Sequence, residues 1–200
     1  MTRSDDAVLR VGEKEFALPV IVGTEDEVAV DINKLRAASG TVTFDRGFAN
    51  TAETKSAITF LDGEKGILRY RGYPIEQIAE QATFLEVAFL LNQGRLPSRS
   101  ELNDYTDQVT HHTMLREDMK HLFEAFPREA HPMQILASAI SALATYYPDA
   151  LDSRDPWAQG ISMNRLLAKV PTMVAWSYKH SRNQPYVYPR NDLDYVANFL

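Results

Sequence analysis

Arg165 and Lys169 stand four positions apart in a stretch with helical character, so both cations face the same way. Two such groups together can hold a phosphate or a carboxylate; the plainer alternative is a solvated charged face. Tyr147 and the segment His112-Thr113-Met114 can join them if folding brings them near. The five histidines, at 111, 112, 121, 131 and 180, raise the question of a metal or of acid–base work. They form no His-Glu-x-x-His pattern, and adjacent His111 and His112 would diverge by about 100° on a helix, so no metal site is expected. His131 precedes Pro132 and suits a helix N-terminus, where the amide dipoles favour a neutral ring able to polarise a carbonyl. Capping or packing is its plainer role, because no carboxylate is placed by spacing to orient it. There is no phosphate-cradling glycine loop and no Gly-x-Ser-x-Gly elbow. With no cysteine, a disulfide or thiolate nucleophile is excluded.

The elements that must position these groups are mostly helical. Pro74 suits the first position of a helix. Thr83 with Glu86, and Ser98 with Glu101, are capping-box pairs, and Gly94 is a left-handed stop between them. Leu115, Met119, Leu122, Phe123 and Phe126 recur at helical spacing up to Pro127. Residues 131–147 read as a helix with a stripe of Met133, Leu136, Ile140, Leu143 and Tyr147, amid small residues that permit close helix approach. Residues 163–180 carry a further helical pattern that survives Pro171, which favours a kink over two separate helices. Residues 183–191 are expected to be extended, after which Asn191 or Asp192 caps a last helix with Tyr195, Val196, Phe199 and Leu200. Apolar residues at that end suggest the N-terminal piece of a longer chain; docking of a short tail on the same domain is the alternative.

Before position 74 the pattern changes. Residues 7–22 read as short strands, 31–38 as a brief helix opened by Asp31 and stopped near Gly40, and 39–56 as loop. Ile58–Leu61 and Ile67–Arg71 flank Asp62-Gly63-Glu64-Lys65-Gly66 and predict a hairpin. The 200 residues carry a formal net charge of −6, which argues against nucleic acid or an anionic membrane as the main partner. The absence of a leader-like apolar start or a bilayer-length apolar run gives a cytoplasmic location as the expectation.

Taken together, "FLDGEKGILRYRGYPIEQIA", "FLEVAFLLNQGRLPS", "HPMQILASAISAL" and "LLAKVPTMVAWSYKHSRNQPYVYPRNDLDYVANFL" resemble citrate synthase, in its bacterial form with a small strand-rich opening segment. The resemblance runs through nearly all of the chain. It implies a mainly α fold: a strand-rich segment and loop over 1–56, then the first part of the helical large domain over 57–200, stopping before the catalytic region. It implies an acyltransferase of the tricarboxylic acid cycle that condenses acetyl-CoA with oxaloacetate and hydrolyses citryl-CoA, with no catalytic cofactor. It further implies homodimers or hexamers. The family's catalytic histidines, aspartate and arginine clamps come after the matching segments, so no catalytic residue is carried over, His131 included, and the chain alone is expected to be inactive. 2-Methylcitrate synthase, using propionyl-CoA, shares the scaffold; the strand-rich start and the "HHTM" segment favour the citrate enzyme. A non-catalytic helical dimerisation module is the reading of a different class.

The same resemblance implies an allosteric site for NADH at His112, Thr113, Met114, Tyr147, Arg165 and Lys169. Arg165 and Lys169 would take the phosphates, Met114 and Tyr147 the apolar or stacking contact, and His112 a hydrogen bond. His111 stands where an arginine is common, so a weakened or lost NADH response is expected near neutral pH.

Overall fold

The computed structural model describes residues 6–150 and 152–200, in two compact units, Met1–Ser56 and Ala57–Leu200. In the first, β1 (Ala7–Val11) pairs antiparallel with β2 (Lys14–Leu18) across a turn at Gly12, whose φ of 63° is one that glycine tolerates. β3 (Val20–Val22) pairs with β4 (Val28–Val30), a strand the sequence patterning did not reveal because only three residues alternate. The short helix α1 (Leu35–Ser39) ends at left-handed Gly40, as expected. Asp31 does not cap it: its carboxylate accepts from the Asn33 amide in a local turn, and the helix begins four residues later. Leu18 and Leu35 are the buried anchors of this unit. Of the expected loop 39–56, Ser39 closes α1 and the rest is irregular apart from a 3-10 turn at Arg46–Phe48. Asp45 gathers it by accepting from the amides of Ala49 and Asn50 and the hydroxyl of Thr51, bonds that hold its carboxyl below the usual range, Thr51 most of all.

The second unit opens with the expected hairpin. β5 (Thr59–Asp62) pairs with β6 (Ile67–Tyr70), with Asp62 opposite Ile67. A two-residue strand, β7 (Tyr73–Pro74), adds to β6. Pro74 is therefore in extended backbone as the N-cap of α2 (Ile75–Gln81), not the first helical residue; pairing with the hairpin holds it outside the helix. The hairpin also serves the helices directly. Arg71 donates from Nε and Nη2 to the carbonyl of Leu91, at 3.2 and 2.6 Å, filling one of the vacant acceptors in the last turn of the third helix.

That helix, α3 (Phe84–Gln93), and the next, α4 (Arg99–Thr110), each start in a complete capping box. The Thr83 and Ser98 amides donate to Glu86 and Glu101, and the hydroxyls accept from those glutamates' own amides. Gly94, at φ 78°, ends α3. α5 covers only Met119–Glu124, so Leu115 lies before the helix, yet it is still buried beside it.

α6 (Pro132–Leu143) starts at His131, whose Nδ1 accepts from the Met133 amide. Its fully buried face is Ile135, Ala139 and Leu143; of the expected stripe, Leu143 is in that face and Leu136, Ile140 and Tyr147 pack partly buried against the same core, while Met133 is 62% exposed. Three residues spaced by four put the small Ala139 at the centre of the contact, where α6 packs on α7. α7 (Pro156–Ser181) is one helix running through Pro171, capped by Asp155. It joins two cores. Ala168 packs with Leu85, Phe89, Tyr105 and Val109 of α3 and α4. Further along, Met173 and Trp176 pack with Phe123, Ile135 and Ala139 of α5 and α6.

Of the stretch 183–191 expected to be extended, 184–190 has no helix or strand, whereas Asn183, at φ 54°, and the Gln184 amide, bonded to the Lys179 carbonyl, belong to the turn that ends α7, and residue 191 opens another turn; α8 (Tyr195–Phe199) follows. Its cap is Asp194, which accepts from the Ala197 amide; Asp192 is engaged by Arg190 instead. Leu166, Val170 and Val174 of α7 and Val196 and Phe199 of α8 line an open apolar groove of about 510 Å³. Among the described residues no helix is long and apolar enough to cross a membrane.

Candidate functional site

The six residues singled out from the sequence meet at one place. α4 ends at Thr110, and the chain turns sharply through His111–Met114 to pass beside α7. Thr113, buried, donates from its hydroxyl to the Thr110 carbonyl, closing that turn. From α7, Lys169 donates to the carbonyls of His112 and Met114, at 2.7 and 2.6 Å, and Thr172 donates to the carbonyl between them, on Thr113, at 3.0 Å. Three consecutive carbonyls of an irregular segment are thus satisfied by two side chains one turn apart on a rigid helix.

Lys169 is only 4% exposed. Burial, with the nearby charge of Arg165 adding to it, pulls its pKa down to about 8 from 10.5. Its folded pKa is depressed, so its contribution to stability is fully present above the unfolded value and is lost as the pH falls through the folded one. The window is therefore pH 8 to 10.5. Across it the unfolded chain holds the proton that the folded chain has released, and the wild type should gain stability relative to Lys169→Met by about 1–3 kcal/mol. Urea titrations of both proteins from pH 7 to 10 check this; a constant gap contradicts it.

Tyr147 lies just beyond α6, after a 3-10 turn. The guanidinium of Arg165 sits over its ring at 4.3 Å and the ammonium of Lys169 at 5.7 Å. Arg165 also donates through both terminal nitrogens to Asp149, at 3.2 and 2.9 Å. Asp149 comes from the 3-10 turn Pro148–Ala150, and the guanidinium keeps its carboxyl below the usual range. Asp149 is not among the residues singled out from the sequence, where its only signal is a turn-forming Pro-Asp directly after Tyr147. Met114 is exposed at the edge, and His112 turns its Nδ1 to the Gln108 carbonyl at 2.6 Å. The cluster is an exposed thioether, an aromatic ring and two cations, one buried by backbone and one held by a carboxylate.

The family model described as "Citrate synthase, C-terminal domain" matches residues 47–200. The chain belongs to the citrate synthase family. Citrate synthase 1 of Mycobacterium tuberculosis is 50% identical over 196 residues, which cover 98% of this chain and 46% of that protein. Among solved structures, the citrate synthase of Pyrobaculum aerophilum superposes with a TM-score of 0.70 at 27% identity, covering all of this chain and 44% of that one. The citrate synthase of Thermotoga maritima gives 0.66 at 28% identity, covering 78% and 40%. The helix-rich architecture with a small β segment at the start is the citrate synthase fold. The chain spans about half the length of the curated relatives it matches.

Within this part of a citrate synthase fold, each histidine has a polar partner, local in sequence for all but His180. His111 reaches back to Asp107, to its carbonyl at 2.9 Å and its carboxylate at 3.1 Å; His121 lies 3.6 Å from Glu124. His131 caps α6, and Nε2 of His180 contacts the Phe126 carbonyl at 2.9 Å. The two histidine–carboxylate pairs are on exposed helical surfaces. No group of three or more potential metal ligands converges among the described residues.

Proposed function

We propose that this chain supplies part of a citrate synthase that condenses acetyl-CoA with oxaloacetate and water to give citrate and CoA. The observation that carries this is the family match over residues 47–200, joined to 50% identity with a curated citrate synthase. The choice of acetyl-CoA over propionyl-CoA rests on the same relative. The complete enzyme is a cytoplasmic homodimer or hexamer. The 200 residues supply its strand-rich opening segment and the first part of the helical large domain, while the proton-handling side chains come from elsewhere. Two features support that division: every histidine here is held in a cap, a helix end or a surface pair, and the chain spans 46% of its relative. Mixed with acetyl-CoA and oxaloacetate, the isolated chain should release no CoA above the uncatalysed rate. Turnover by these residues alone contradicts the proposal.

The cluster at Arg165 is, in this reading, a regulatory NADH site. Its support is the convergence of His112, Thr113, Met114, Tyr147, Arg165 and Lys169 from three separate segments. The residues fit a dinucleotide in part. Tyr147 and Met114 offer apolar contact, and Arg165 a phosphate ligand, whereas Lys169 serves by positioning the loop. His111, turned back on Asp107, adds no fixed cation. Binding is therefore weak, and His111→Arg should tighten it by roughly two- to fivefold, the scale of one exposed ion pair. Calorimetric titration with NADH checks this; equal affinity of the two proteins contradicts it.

A further inference from the structure

Arg165 presents the recognition surface of an anion site, yet a carboxylate of the same chain already occupies it. The fork of Arg165 donates to both oxygens of Asp149, the paired geometry with which a guanidinium grips a phosphate. The guanidinium face is on Tyr147, and the neighbouring ammonium is committed to two backbone carbonyls. An incoming phosphoryl group meets its strongest donors already paired, and a negative charge beside them. Asp149 is the more exposed partner, at 49% against 19% for Arg165, and it sits on a single 3-10 turn rather than on a long helix. It can leave without disturbing the packed face of α7, whereas Arg165 is anchored on a helix that joins both cores.

We propose that Asp149 is an autoinhibitory latch, an internal competitor that must be displaced before a phosphoryl-bearing ligand can bind Arg165. This rests on the reading of the cluster as an anion site, and it deepens that reading by naming the residue that sets its threshold. The latch makes affinity depend on the difference between two ion pairs, Arg165 with Asp149 and Arg165 with phosphate. A ligand carrying two or more charges overcomes it more readily than one carrying a single charge.

The test compares wild type, Asp149→Asn and Asp152→Asn at low ionic strength, where exposed charges are least screened. Asp152 is a nearby exposed carboxylate that accepts from the Arg154 amide, so its change removes the same charge without touching Arg165. Each protein is titrated calorimetrically with inorganic pyrophosphate and, separately, with NADH. Asp149→Asn should bind pyrophosphate about five- to tenfold more tightly than wild type, and Asp152→Asn should match wild type. Equal gains in both variants would reduce the effect to net charge and overturn the latch. Equal affinity of wild type and Asp149→Asn, or no pyrophosphate binding to Asp149→Asn, would overturn it too. A gain for pyrophosphate with no NADH binding to any of the three keeps the latch and removes the dinucleotide reading. Circular dichroism of Asp149→Asn verifies that the helices are intact; should that variant unfold, Asp149→Ser takes its place.

Discussion

Lys169→Ala should lower the stability of the helical unit by about 3–5 kcal/mol, while Lys169→Met should cost about 1–2 kcal/mol. Alanine removes two things. The carbonyls of His112 and Met114 lose a charged donor at 2.7 and 2.6 Å, and the side chain, 4% exposed, leaves a hollow between α7 and the loop. Methionine refills the hollow and removes only the donor. It also removes a buried ammonium that folding must desolvate, and that saving offsets part of the loss at neutral pH. The order of the two variants separates the two contributions. A loop held by packing alone would leave methionine close to wild type, and a loop held by the ammonium alone would make the two variants equal. Urea unfolding midpoints measure the difference, and amide exchange at Thr113 and Met114 reads the release of the loop directly.

Trp176→Ala should cost about 3–5 kcal/mol through a different mechanism. Trp176 is fully buried, stacks on Tyr186 at a centroid distance of 4.9 Å, and meets Phe123 edge-on at 5.9 Å. Its Nε1 donates to the Val187 carbonyl at 3.0 Å, so one side chain fills the core between α5, α6 and α7 and also pins the extended 184–190 crossing. Removing it opens a cavity and frees that crossing. Trp176→Phe keeps most of the ring contact and leaves the Val187 carbonyl without its donor, for a loss of about 1–2 kcal/mol. Near-ultraviolet circular dichroism and urea unfolding distinguish the two. A loss under about 1 kcal/mol for alanine would mean that the core does not depend on this residue.

Local signals carried much of the architecture. The capping boxes at Thr83 and Ser98 and the stop at Gly94 were legible because both partners of each bond lie within a few residues. The hairpin at 59–70 was legible from its turn composition and flanking apolar runs. Where the deciding partner lies far along the chain, the patterning misled. Met133 shares the apolar character of the stripe that Leu136, Ile140 and Leu143 do bring to the core, yet it is exposed, and the contact with α7 is centred on Ile135 and the small Ala139, whose size lets the helices approach closely. Pro74 reads as a helix start until β7 is seen to pair with β6. In the site, spacing alone placed Arg165 beside Lys169; Tyr147 and His112–Met114 stood in the sequence only as groups that could join them, and the resemblance to citrate synthase tied the six into one site. The acceptors of Lys169 are backbone carbonyls, which have no signature in sequence, and Asp149 pairs across sixteen positions joined by a turn. Those two facts change the chemistry: one cation becomes a structural clamp and the other is held in check.

The most direct measurement is made on a chimera in which this chain replaces the matching 196 residues of the Mycobacterium tuberculosis citrate synthase 1. If these residues are the scaffold of a citrate synthase and the catalytic side chains lie beyond them, the chimera forms citrate from acetyl-CoA and oxaloacetate at a rate within about tenfold of the parent, a barrier change near 1.4 kcal/mol. A chimera that folds to the parent's helical content and assembly state, yet produces no citrate, would contradict the account.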